Sequence, residues 1–313
     1  MNRSTESRST ELLIVGTGAL ATLIAARLSE AGHPVTLLGT WQAGLDALRS
    51  GGARLVDVEG NERAYPVHAT NNPEECRGAK YALVLVKAWQ TERAARQLAD
   101  CLAGDGLAVT LQNGLGNRET LIRDLGPGRV ALGVTTAGAT LLGPGLARPG
   151  GEGVVSIERH PALGPVEEAL KSAGFNVELV EEAQSLVWGK LVINAAINPL
   201  TALLRVPNGE LLERPAARDL MGALARETAQ VAGAEKVTLP FSDPAAAAEE
   251  VARKTAGNHS SMLQDVSRGA PTEIDAICGA ITTRGELHGI LTPVNHVCWR
   301  LVRALTENSP PGH

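Results

Sequence analysis

Short apolar runs alternate with amphipathic stretches from Leu12 to Val180, and the pattern then becomes helix after helix. Leu12–Val15 is a continuous apolar run of strand length, as a strand buried on both faces requires, and Val35–Leu38, Tyr81–Val86 and Leu107–Leu111 read as further, mostly apolar strands. Ala19–Ala31, Thr91–Leu102 and Pro165–Ala173 read as the helices among them. Ala53–Val58 and Glu62–Val67, around Glu59-Gly60-Asn61, predict a hairpin. Val130–Val134, Ala137–Leu141, Gly153–Ile157 and Val177–Val180 read as further strands, with turns at Gly143-Pro144-Gly145 and Pro149-Gly150-Gly151. From Glu182 the β pattern is gone. Helices are expected over Ala216–Ala232, Ala245–Thr255 and Pro293–Thr306, with others opening at Asn258–Asp265 and Pro271–Asp275. The expectation is a leader over 1–10, an α/β domain with a mainly parallel sheet over 11–181, and an all-α domain over 182–313.

The most unusual helical pattern is Trp188–Leu200. Lys190, Asn194 and Asn198 recur every fourth residue and stack on one helix face. Leu191, Val192, Ile193, Ala195, Ala196 and Ile197 fill the rest. One ammonium and two carboxamides on an otherwise apolar helix must line a cavity or meet another polar group, since a buried lone lysine is costly. An internal hydrogen-bond network and a functional site both fit that spacing. Asn198 precedes Pro199, which disfavours helical backbone at Asn198, so the helix is expected to end or kink there.

Gly16-Thr17-Gly18-Ala19-Leu20-Ala21 follows the first strand and opens the first helix. This is G-x-G-x-x-A in the context of a βαβ unit. Gly16 permits the tight turn, Gly18 lets backbone approach a pyrophosphate, and Ala21 keeps helix and strand close. The helix N-terminus would hold the phosphates. Past the second strand come Gly39, Thr40, Trp41 and Gln42, with no carboxylate before Asp46, which argues against NAD. Thr40 could donate to a phosphate, and Arg49 could reach one. Lys87 and Asn113 each follow a strand, on the rim where open α/β sheets bind ligands.

Composition narrows the function classes. A chain of 313 residues suits two domains. With 44% hydrophobic and 20% charged residues it can bury a sizeable core. Aromatic content is only 3% and net charge −5, so neither base stacking nor phosphate neutralisation is provided for. Cys76, Cys101, Cys278 and Cys298 lie outside metal-ligand spacing and read as free thiols of a reducing compartment, with no metal site expected. The polar start Met1–Thr10 has no apolar core of a signal peptide, and no stretch reads as long and apolar enough to span a bilayer. A cytoplasmic protein is expected.

The set GTGALA, VKAWQ, QNG, WGKLVINAAINPLTAL, PNGEL, NHSSMLQD and TEID resembles the ketopantoate reductase (2-dehydropantoate 2-reductase) family, in order from Leu12 to about Pro293. That resemblance implies an N-terminal Rossmann domain, a helical C-terminal domain, and NADPH-dependent reduction of 2-dehydropantoate to pantoate in pantothenate synthesis. It implies Lys190 as general acid, and Asn194, Asn198, Asn208 and Ser261 as substrate holders with Asn258 nearby. Glu273 would sit by the substrate hydroxyl and the nicotinamide ribose. Gly16, Thr17, Gly18, Ala19, Leu20, Ala21 and Thr40 would hold the cofactor, with Lys87, Asn113 and Ala139 towards its nicotinamide end. Asn113 would also reach substrate. Thr40 stands where many relatives have a basic residue, which leaves NAD open as cofactor. The implied partner is a small 2-oxo acid, with no nucleic acid and no membrane; a homodimer is compatible with this. Two other readings remain. One is a related reductase of another 2-oxo acid or an imine; the other is a non-catalytic nucleotide-sensing regulator, which would not need the Lys190, Asn194, Asn198 and Glu273 set.

Overall fold

The computed structural model describes residues 11–307. The leader expected over Met1–Thr10 and the tail Ser309–His313 lie outside the described residues. The chain divides into two compact units. The first holds the residues up to Val86, Gln90–Gln112 and Arg118–Glu182; the second holds Lys87–Trp89, Asn113–Asn117 and the chain from Ala183. The two short segments in the second unit are marked by no shift in composition.

The first unit is built on twelve strands: β1 Leu12–Val15, β2 Val35–Leu38, β3 Ala53–Val56, β4 Glu62–Tyr65, β5 His68–Thr70, β6 Ala79–Val84, β7 Leu102–Thr110, β8 Val130–Thr135, β9 Ala139–Gly143, β10 Leu146–Pro149, β11 Val154–Glu158 and β12 Asn176–Val180. Eight form one sheet in the order β12-β11-β8-β7-β6-β1-β2-β5. From β8 to β5 every pairing is parallel; β11 joins antiparallel to β8, and β12 runs parallel to β11. Leu12, Leu13, Ile14 and Val15 are all buried, which is why β1 is apolar at every position rather than at alternate ones. Strand order reverses between β1 and β6, the switch point at which such sheets open a crevice beyond their strand ends. The expected hairpin β3–β4 forms, and it is extended by β10 and β9 into a second sheet of order β4-β3-β10-β9. The turns read at Gly143–Gly145 and Pro149–Gly151 thus bracket a short strand that the pattern did not separate from them.

Helix α1 Ala19–Glu30 follows β1, and α2 Gln42–Gly51 follows β2. Only Gly44, Leu45 and Leu48 of α2 are buried, so its apolar signal is thin. Three further helices, α3 Thr91–Cys101, α4 Asn117–Leu125 and α5 Gly164–Ser172, complete the set between the strands.

The second unit contains α6 Gln184–Leu204, α7 Glu210–Glu213, α8 Pro215–Ala234, α9 Pro244–Lys254, α10 Ser261–Ser267, α11 Ala280–Leu287 and α12 Pro293–Thr306. Helix α6 is its axis and packs against α8, α9, α10 and α12. It buries two faces at once. Val192, Ala196, Ile197 and Leu200 join Met221, Leu224 and Ala248 on one side. Trp188, Leu191, Ala195 and Ala202 join Met262, Ile274 and Ile277 on the other. Lys190 and Asn194 occupy the partly exposed face left over.

Of the end or kink expected at Asn198 the structure excludes the end, and it corrects a second expectation about α6. The helix does not end at Asn198; Pro199 lies inside a helix that continues to Leu204. The local bias against helix before proline is overridden by burial of the whole run Ala195–Ala202. Thr201 Oγ1 reinforces the turn, donating to the Ile197 or Asn198 carbonyl at 3.1 and 3.0 Å and sharing a 2.7 Å hydrogen bond with Ser260 Oγ. Helix α6 is also long and apolar enough to cross a membrane, with a mean hydropathy of 1.3 over its best window; 67% of that window is buried in the protein, as in a core helix. All four cysteines are buried and free.

Candidate active site

In the first unit, Gly16 has φ +131°, and a Cβ there would lie 3.1 Å from the backbone of Leu85 and Val86. A side chain at this position would push β1 and β6 apart at the switch point. Thr17 is buried against Gly39. Gly18 is the N-cap of α1, whose first turn carries no acidic residue and no capping side chain. A Cβ on Gly18 would meet nothing within 4 Å. Free helix N–H groups, open space and no negative charge together fit an anionic diphosphate. Ala19 and Leu20 are partly buried and Ala21 fully so, which seats α1 closely on the sheet. Thr40 is exposed beyond β2. Arg49 is engaged elsewhere: its Nε donates to the Ala69 carbonyl at 2.8 Å, and it pairs with Asp46 at 3.4 Å. Ala139 opens β9, partly buried against the core of this unit.

The second unit gathers the charged residues. Glu273 is 6% exposed. Its Oε1 accepts the Ala88 N–H at 3.0 Å and its Oε2 accepts the Asn113 side-chain amide at 3.2 Å. Lys87 Nζ lies 3.7 Å from the same Oε2 and 2.6 Å from Asp265 Oδ2. Asp265 is 2% exposed and also receives Arg268 at 2.8 Å. Burial pulls the Lys87 ammonium down, but Glu273 and Asp265 overcome this and hold it above its usual value. Burial raises the Asp265 carboxyl, against the pull of Lys87 and Arg268. The two shifts push the pair's proton in opposite senses. The 2.6 Å contact and the second carboxylate favour a charged Lys87, so the pair is ionic.

Lys190 feels the opposite balance. Although the residue is partly exposed, loss of water around its ammonium pushes its pKa down to about 8, and the Glu273 carboxylate pulls it partly back. Glu273 therefore links Lys190, Lys87 and Asn113, which the sequence placed on three separate segments. Local sequence explains how they are held. Gly114 has φ +81°, and a Cβ there would lie 2.6 Å from the Ala276 carbonyl oxygen, so only glycine fits this close; the Leu115 N–H donates to the same carbonyl at 3.0 Å. Thr272, at the expected helix start, accepts the Ile274 N–H at 3.5 Å. The helix that opens there is not regular α: a π-helical turn at Asp275–Gly279 leads into α11.

The amides divide. Asn194 is partly buried and Asn198 buried, each a turn further along α6. Asn208 is buried; its backbone N–H donates to the Asn258 carbonyl at 3.0 Å and its Nδ2 to Thr255 Oγ1 at 2.9 Å, while its Oδ1 has no hydrogen-bond partner. Asn258 is exposed beside it. Ser261 is exposed at the first position of α10, whereas Ser260 is the buried cap that accepts the Leu263 N–H at 3.1 Å. Sequence reasoning passes over Asp265. The signal available is a lone acid three residues before Arg268 on a helix, a spacing that looks like a surface pair.

The chain is similar to known proteins over almost its whole length. The family described as "Ketopantoate reductase PanE/ApbA" matches residues 12–162, and "Ketopantoate reductase PanE/ApbA C terminal" matches residues 182–306. The chain is 38% identical to a 2-dehydropantoate 2-reductase of Archaeoglobus fulgidus, over 93% of this chain and 96% of that one. It is 34% identical to that of Halobacterium salinarum, over 93% and 97%. A PanE/ApbA family ketopantoate reductase structure from Ralstonia eutropha superposes with a TM-score of 0.89 at 32% identity, covering 96% of this chain and 99% of the other.

Proposed function

The chain belongs to the ketopantoate reductase family, and from that premise we propose that it reduces 2-dehydropantoate to pantoate with a nicotinamide cofactor, NADPH in preference to NADH. The observation that carries this reading is the electrostatic setting of Lys190: an ammonium tuned to about 8 by burial, beside a buried carboxylate. A group with that pKa holds its proton at neutral pH and releases it readily, as a general acid must.

The Gly16–Ala21 turn at the start of α1 would hold the diphosphate of the cofactor, and Thr40 and Ala139 would be among its other contacts. When bound, a reduced nicotinamide supplies a hydride to the ketone carbon. Lys190 donates the balancing proton to the ketone oxygen, and its positive charge offsets the negative charge that builds there. Glu273 keeps Lys190 protonated until transfer and orients the nearby hydroxyls. Asn194, Asn198, Asn208, Asn258 and Ser261 hold the carboxylate and hydroxyl of the 2-oxo acid without adding charge. Lys87 and Asn113 would hold the nicotinamide portion. The first unit is the dinucleotide domain and the second the substrate domain.

The test is oxidation of NADPH and of NADH by purified protein, with 2-dehydropantoate beside a panel of other 2-oxo acids. Turnover of 2-dehydropantoate about tenfold or more above the rest is expected; a better substrate in the panel overturns the assignment.

A further inference from the structure

Two lysines and two acids share the cluster around Glu273, and they are not interchangeable. Lys87 sits 2.6 Å from Asp265 but 3.7 Å from Glu273. Asp265 is almost fully buried on α10, where a carboxylate is unfavourable unless cations satisfy it. Lys87 and Arg268 do so, one on each oxygen. None of the roles given above falls to Asp265. We propose that Asp265 is a positioning residue: it holds the Lys87 ammonium, and so leaves the Glu273 carboxylate to Asn113, the Ala88 N–H and Lys190. The inference rests on the reading of Lys190 as proton donor.

The argument is one of competition. Lys87 already lies 3.7 Å from Glu273 Oε2; without the Asp265 charge Glu273 is its only remaining carboxylate in the cluster, and a small rotation of the lysine tightens that ion pair. A Glu273 neutralised in this way supports the Lys190 ammonium less, and Lys190 loses its proton at lower pH. The charged groups that act on the cluster are Lys87, Lys190, Arg268, Asp265 and Glu273. Arg268, freed of its acid, pushes in the same direction.

The test is kcat against pH at saturating cofactor and substrate. A protonated donor makes kcat fall as pH rises through its pKa, so an alkaline limb is expected in the native enzyme. Asp265→Asn should move that limb down by about half to one pH unit. Lys87→Met should move it up, whatever it does to the absolute rate. The double variant should return it close to the native position, and Asp265→Glu, which keeps the charge, should leave it there. A purely structural Asp265 predicts a lower melting temperature in Asp265→Asn with the limb unmoved, and that result overturns the proposal. A double variant that fails to bring the limb back does so too. If Asp265→Asn does not fold, an unmoved limb in Lys87→Met overturns it alone. The underlying reading fails separately: near-normal kcat in Lys190→Ala removes the proton donor, whereas an inactive Lys190→Ala with an unmoved Asp265→Asn limb removes only the role of Asp265.

Discussion

Asn113 donates its side-chain amide to Glu273 at 3.2 Å, across 160 residues of sequence. Both residues lie in the second unit, where the bond ties the turn Asn113–Asn117 to the residues that lead into the π-helical segment. It does not stand alone, because the next residues of the turn are fastened to the same segment through the backbone of Leu115 and Ala276. The amide is thus held by its own chain as well as by the acid it meets.

Gly114→Ala should loosen that fastening. The new Cβ would lie 2.6 Å from the Ala276 carbonyl oxygen, and φ +81° is strained for alanine. A stability loss of about 1–3 kcal/mol is expected, read as a lower denaturant midpoint. Steady-state kinetics should show a raised KM for the 2-oxo acid, since Asn113 and Glu273 no longer meet. An unchanged midpoint and unchanged KM would show that the turn can shift freely.

Gly16→Ala and Gly18→Ala should separate folding from cofactor binding. At Gly16 the added carbon meets the backbone of Leu85 and Val86 and requires a positive φ, so stability falls. At Gly18 it meets nothing in the protein, so the melting temperature should barely move. That carbon would instead occupy the space proposed for the diphosphate, and KM for the cofactor should rise about tenfold or more. A Gly18→Ala enzyme with native cofactor KM would place the diphosphate elsewhere.

These glycines also show what is legible in a sequence. The Gly16–Ala21 turn can be read because its spacing, the apolar strand before it and the helix after it are all local. The Lys190 seam is visible for the same reason. The end of α6 is not, because Pro199 acts locally, while the packing that carries the helix past it comes from α8, α9 and α10. Short β10 is hidden between two glycine-proline turns. Asp265 escapes notice because its partner Lys87 is 178 residues away. Long-range ion pairs have no period and leave no pattern along the chain.

On cofactor choice, kcat/KM should favour NADPH over NADH, though modestly. No acid occurs from Gly39 to Ala43 to receive ribose hydroxyls. No base replaces it either, since Thr40 is neutral and Arg49 is held by Ala69 and Asp46. Thr40→Arg should widen the NADPH preference about tenfold, a gain of one charge-assisted hydrogen bond to a phosphate. An NADH preference in the native enzyme would sink this prediction.

Lys190 makes the sharpest forecast, because activity and stability should move in opposite directions. Its pKa falls from 10.5 in the unfolded chain to about 8 in the folded one. Between these values the unfolded state binds more protons, so stability rises with pH through that window; below pH 8 the full penalty of a buried ammonium is present. Lys190→Met removes the penalty and keeps most of the volume. Its melting temperature at neutral pH should equal or exceed that of the native protein, and the difference should shrink as pH climbs towards 10.5. Turnover should drop about 10²–10⁴-fold, the usual loss when a positioned proton donor is removed. NADPH affinity should hardly change. Asn198→Ala should instead raise KM with kcat nearly intact, as expected of a residue that binds ground state and transition state alike. Glu273→Gln should fall between the two, lowering kcat and moving the alkaline limb to lower pH, because the Lys190 ammonium loses the carboxylate that supports it. Were Lys190 only a member of a buried hydrogen-bond network, Lys190→Met would melt earlier and turn over normally. Calorimetry and kcat on the same preparation decide between these outcomes.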